Sequence, residues 1–174
     1  MQGFYWGMLH PFSSGPQLLM LIAMSLLIQQ RLPESEAAFT GLWIGCILGA
    51  AFAAFGIAGL DLDLPLTLAA VIAGLLVAGA LKLGGAALWA AGGIAGLLSG
   101  YVSWPDPGPA SDMFFSGLGA ITGSILLVIL AGGGIELLRQ KAGWPWLAVA
   151  VRVAGSWAVA ISVLLGALLY RNSA

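Results

Sequence analysis

Between Asp112 and Glu136 the chain runs from Met113 to Ile135, 23 residues, without a charged side chain. As a helix at ~1.5 Å per residue, that stretch measures about 35 Å, enough to cross the hydrocarbon core of a bilayer with some tilt. The pattern is not isolated, because no charged side chain precedes Arg31. Over the whole chain 60% of residues are hydrophobic and 7% charged, against about 25% charged in soluble domains. Mean hydropathy is +1.02. In lipid every backbone N–H and C=O must find its partner inside the protein, which leaves helices as the simplest solution. The expectation is an all-α polytopic membrane bundle forming one transmembrane domain over 1–174, with the lipid bilayer as its first partner. A net charge of −1 gives no basis for a nucleic-acid partner.

Polar loops divide the chain into about six spans, near 8–29, 37–60, 65–83, 86–103, 113–135 and 145–170. The first carries the only histidine, His10, and is expected to break near Pro11–Pro16, where prolines remove backbone donors. Broken helices beside polar side chains are how membrane proteins build small-solute sites. Gly132-Gly133-Gly134 is expected to loosen the end of the fifth span, leaving Glu136 to Lys141 as a short amphipathic turn. Trp144, Trp146 and Tyr170 sit near the ends of the sixth, as interfacial aromatics do. Cys46, the lone cysteine, reads as a small buried residue. Gly119 and Gly123 form a small-xxx-small ridge, expected to receive a partner helix.

Arg152 lies inside the sixth span, roughly 10 Å below its start at ~1.5 Å per residue. An intramembrane cation calls for a named partner. Lipid headgroups, Glu136 and the carbonyls ending the fifth span are the candidates, and a structural role is preferred to a transport role. Arg31, Lys82, Arg139 and Lys141 fall in alternate loops, while the opposite side has Arg171 and the acidic set Asp61, Asp63, Asp106 and Asp112. The positive-inside rule then puts both termini on the non-cytoplasmic side of a bacterial inner membrane. No cleavable signal pattern precedes the first span.

The opening Gly3-Phe-Tyr-Trp-Gly-Met-Leu-His-Pro-Phe, with Gly15 and Leu18-Leu19-Met20, resembles the start of the HupE/UreJ family. Those are six-span membrane proteins associated with nickel or cobalt uptake for hydrogenase and urease. Their first signature places Asp-His after His and five intervening residues; here His10 is followed by Pro16 and Gln17 at those places. Their second, Phe-His-Gly-Tyr-Ala-His-Gly-x-Glu, is matched by Leu98 to Asp106, with Gly100-Tyr101 kept and serines at both histidine places, Ser99 and Ser103. The stretch Asp63 to Gly74 resembles the family's third span, with Asp63 near a glutamate.

The resemblance thus implies a polar cluster of His10, Gln17, Asp63, Ser99, Ser103 and Asp106 in which most metal ligands are replaced. Nickel and cobalt favour imidazole with supporting carboxylate, and neutral oxygen donors hold them poorly. His10 is left as the metal candidate, and as a candidate ligand to a pigment or haem; no cofactor is otherwise expected. Neither a catalytic triad nor a phosphate loop is present, so no enzymatic activity is expected. The preferred reading is a non-catalytic accessory or structural subunit of a larger membrane complex, bound to other subunits through glycine-rich and aromatic faces. The alternative is a divergent permease for nickel, cobalt or another small solute.

Overall fold

The computed structural model describes residues 2–30, 35–55, 60–105, 108–142, 144 and 146–173. Arg31, Asp106 and Pro145 lie outside them. The architecture is all-helical: α1 (Gln2–Ser13), α2 (Gly15–Gln29), α3 (Ser35–Ala54), α4 (Asp63–Ala78), α5 (Gly85–Val102), α6 (Ala110–Ala142) and α7 (Leu147–Ser173). Among the described residues α3, α5, α6 and α7 are each long and apolar enough to cross a membrane, and the bent pair α1–α2 makes a fifth candidate. The remaining expected span, α4, has 16 residues, or about 24 Å of helix against a hydrocarbon core of ~30 Å. Large apolar side chains such as Phe55, Trp157, Leu164 and Ile72 cover the outside. That is the reverse of a water-soluble surface, and this is a multi-pass membrane protein.

The first span is broken, with its break at Ser14, between the prolines. Ser14 is extended (φ −86°, ψ 110°) and the helices on either side meet at a bend of 77°. Pro11, inside α1, has no N–H to continue the ladder, whereas Pro16 in the first turn of α2 is preset for helix. The Ser14 N–H and the Ser13 hydroxyl both donate to the His10 carbonyl, at 3.2 and 2.8 Å, closing the end of α1. Helix already begins at Gln2, earlier than the expected start at Met8.

Helices that are distant in sequence pair through glycine. In α3, Gly41, Gly45 and Gly49 lie against the backbone of Trp89, Gly93 and Leu97. In α5, Gly92, Gly96 and Gly100 lie reciprocally against Ala38, Leu42 and Cys46. A Cβ at any of these positions would strike a carbonyl oxygen, so the two parallel helices touch backbone to backbone. Gly74 on α4 and Gly155 on α7 make an antiparallel contact in which each glycine receives a valine of the other helix, Val159 and Val77. Cys46 is fully buried in the α3–α5 seam. Through the centre runs α2, whose Met20, Leu21, Met24, Leu27 and Ile28 are at most 2% exposed.

Two expectations are corrected at this level. The ridge of Gly119 and Gly123 receives no external partner: it is covered by the chain's own α1, at the carbonyls of Phe4 and Met8. And the triple glycine does not end α6, which continues through Gly132–Gly134 to Ala142, 33 residues or about 50 Å. Gly132 is held by contact with the Gln29 side chain, and the i→i−4 ladder tolerates the other two at the cost of helix propensity alone.

Candidate functional site at the helix break

The break in the first span sets Gln17 in the first turn of α2, fully buried among α5 and α6. Its amide nitrogen donates to the hydroxyls of Ser99 (2.7 Å), in the last turn of α5, and Ser103 (2.8 Å), which caps that helix. Ser124 of α6 completes the cluster, 2.9 Å from the Ser99 hydroxyl, and itself donates to the Ala120 carbonyl at 2.9 Å. The direction follows from the chemistry. With the Ser124 proton on Ala120, Ser99 must donate to Ser124, and its own lone pair receives Gln17. Amide, hydroxyl, hydroxyl and carbonyl thus form one polarised chain across three helices.

Ser103 is also the link to His10. It lines a half-open groove of about 630 Å³ together with His10, Trp6, Ser13, Trp104 and Ser116. The groove lies between α1 and the ends of α5 and α6. The Trp104 ring rests on Gly117, while the Gly7 backbone sits against that of Ser116. Two buried polar atoms here have no hydrogen-bond partner among the described residues: Nδ1 of His10 and Oε1 of Gln17. They belong to the two halves of the broken helix.

The other expected site residues lie apart. Asp63 heads α4, where its N–H donates to the Asp61 carboxylate (3.0 Å) and its carbonyl accepts the Thr67 hydroxyl (2.7 Å). None of its hydrogen bonds reaches the cluster. Asp106 falls outside the described residues, among which no group of three or more His, Cys, Asp or Glu side chains could hold a metal ion. Among the described residues Arg152 takes neither of its expected protein partners, Glu136 or the carbonyls ending the fifth span. Its Nε donates to the carbonyl of Ala78 at 2.9 Å, which ends α4 and not the fifth span. The shortness of α4 is the reason, since its last carbonyls stop at the depth where Arg152 stands on α7. Gln30 performs the same service for Val77, at 3.0 Å.

Ser124 and Ser116 are the site residues that sequence reasoning missed. Their signal is spacing: Ser116, Gly119, Ala120, Gly123 and Ser124 form one small-residue face of α6. A single hydroxyl in such a face looks like packing until its neighbours are known. Comparison with protein-family models, curated proteins and solved structures returned no match to this chain.

Proposed function

We propose that the protein is a HupE/UreJ-like permease in which the metal path has been rebuilt for a small neutral or monovalent solute that donates hydrogen bonds. The observation that carries this reading is that two of the buried atoms without a partner among the described residues, His10 Nδ1 and Gln17 Oε1, flank the helix break. An unsatisfied buried acceptor costs about 1–3 kcal/mol. His10 Nδ1 beside the groove and Gln17 Oε1, buried behind Ser103, suit a water or a solute that donates to Gln17 and meets His10 in the tautomer whose Nδ1 accepts. The groove's other polar groups, Ser13, Ser103 and Ser116, are hydroxyls, suited to hydrogen bonding rather than to nickel or cobalt. One imidazole would be the sole strong ligand for a haem or pigment, so a solute fits the lining better.

The reading places the protein in a bacterial inner membrane, with the His10 groove opening on the non-cytoplasmic side. Its test is solute flux in proteoliposomes, using ammonium, methylammonium, urea, glycerol and nickel. Flux of at least one donor solute is expected, together with a loss of tenfold or more in Gln17→Leu. That factor corresponds to about 1.4 kcal/mol, within the value of a hydrogen bond at a site built to receive it. Leakage indistinguishable from empty vesicles for every solute overturns the permease reading.

A second reading, the accessory subunit, keeps one observation in its favour. A shallow apolar groove of about 270 Å³ runs along the outer side of the α3–α5 seam, lined by Gly41, Gly45, Gly93, Trp89 and Leu48. A helix of another membrane protein would fit such a small-residue groove. The Gly119–Gly123 ridge no longer supports this reading, being internal.

A further inference from the structure

At the end of the bundle away from the His10 groove, α2, α6 and α7 enclose a second cavity of about 330 Å³. That volume falls within the usual range for small-molecule sites, about 300–1,000 Å³. Its polar side is formed by Arg139, Arg152 and Glu136 with Gln29 and Gln30, whose Oε1 atoms have no partner among the described residues and suit the hydroxyls of a headgroup, and its floor by Leu147 and Val151. Arg152 uses Nε on the Ala78 carbonyl, which fixes the plane of its guanidinium. The N–H donors on its terminal nitrogens have no partner among the described residues. Glu136 is occupied from its own helix by Arg139 (3.4 Å) and Gln140 (2.8 Å), so its charge is offset locally and the cavity keeps a net positive charge. Trp144 lines the mouth and stacks on Trp146 with ring centroids 5.0 Å apart. Paired tryptophans of this kind sit at headgroup level.

We infer that this cavity is a binding site for the headgroup of an anionic phospholipid. The phosphate is received by the planar guanidinium of Arg152 with Arg139 beside it, and an acyl chain follows the apolar floor. Guanidinium groups match phosphate oxygens in geometry as well as charge. Basic pockets between membrane helices are a known mode of lipid-headgroup recognition. Free phosphate shares the anion but not the chain, and the apolar floor favours the lipid. The inference is independent of the proposed transport path, which lies at the other end of the molecule.

The test measures thermal protection of the full-length protein in neutral detergent on titration with phosphatidylglycerol, phosphatidylcholine or inorganic phosphate. Phosphatidylglycerol should bind at least about fivefold more tightly than phosphatidylcholine, the factor expected of one basic residue near an anionic lipid. Arg139→Gln, on an exposed side chain whose loss leaves the helix intact, should abolish most of that preference. Arg152→Gln should abolish all of it while also lowering the unfolding temperature without lipid, because α4 loses its cap. Equal protection by both lipids, an unchanged preference in Arg139→Gln, or protection by inorganic phosphate as strong as by phosphatidylglycerol overturns the assignment.

Discussion

Gln17 and His10 stand in the same span and differ sharply in how the protein holds them. Gln17 bonds two serines on another helix, so removing its amide strands hydroxyls that the low-dielectric interior has desolvated. His10 gives the fold its carbonyl, which closes α1, while its ring has an Nδ1 without a partner among the described residues. His10→Ala keeps that carbonyl and removes a ring for which no hydrogen bond is formed among the described residues, so it should change stability by less than about 1 kcal/mol, and should reduce flux far more than it reduces yield. Normal flux in a folded His10→Ala protein would remove the imidazole from the path. Ala80 offers a test of the opposite sign. It adopts φ 49° just after α4, where Ala80 N–H and Leu81 N–H bond the carbonyls of Val77 and Leu76 at 3.1 and 3.2 Å. That is the Schellman arrangement, whose left-handed residue is usually glycine. Ala80→Gly should raise stability by about 1 kcal/mol, the penalty an L-residue incurs there, as read by thermal unfolding in detergent.

Pairs of helices set the stability of the bundle, and the α3–α5 seam is the most demanding of them. Gly45 meets the Gly93 carbonyl and Gly96 meets that of Leu42, so neither neighbour can yield without moving a backbone. Gly45→Leu or Gly96→Leu should abolish folded protein in detergent, since overpacking costs about 1–3 kcal/mol even where side chains can adjust. Gly133 and Gly134 of α6 have open space, with nothing within 4 Å, where a Cβ would stand. Replacing either with alanine should stabilise by up to about 1 kcal/mol through helix propensity; a loss of stability would mean that α6 must bend there. These contrasts mark the limit of what the sequence made legible. Uncharged runs and loop prolines locate the middle of each helix, because membrane insertion is written in hydropathy, but not its ends: α1 begins at Gln2 and α6 runs on to Ala142. The break between Pro11 and Pro16 is legible because proline chemistry is local. Which glycine faces which helix is not: the 41–45–49 and 92–96–100 series are separated by α4, and nothing local distinguishes an internal ridge from one awaiting a partner. The same limit hid Ser124 from the polar cluster and Ala78 from Arg152, contacts that depend on register between helices distant in the chain.

On the scale of the whole molecule, pairing fixes direction. The bent α1–α2 pair climbs α6 in the same sense, with Gly3 beside Asp112, Met8 beside Gly123 and Ser25 bonded to Val128 at 3.1 Å. Likewise α3 and α5 run parallel, and α4 and α7 antiparallel, so successive spans alternate and the starts of α1 and α6 share one end of the bundle with the end of α7. Lys82, Arg139 and Lys141 gather at the opposite end, while Asp61, Asp63 and Asp112 lie with the termini, where Arg171 is the lone basic side chain of the described residues. The protein's charge asymmetry is thus a property of its two ends, which is the form in which the positive-inside rule acts during insertion. A reporter that is active only in the cytoplasm should be silent when fused after Ala174 and active when inserted beside Lys82. Because both fusions belong to one alternating bundle, their signals are linked: activity at the C-terminus with silence at Lys82 would invert the whole assignment. The inverse result would also turn the His10 groove to the cytoplasm and the arginine cavity to the outer leaflet. Raising the opposing charge should expose how firmly the orientation is set. Lys82→Glu alone should leave it unchanged, since acidic residues count little in this rule and Arg31, Arg139 and Lys141 remain.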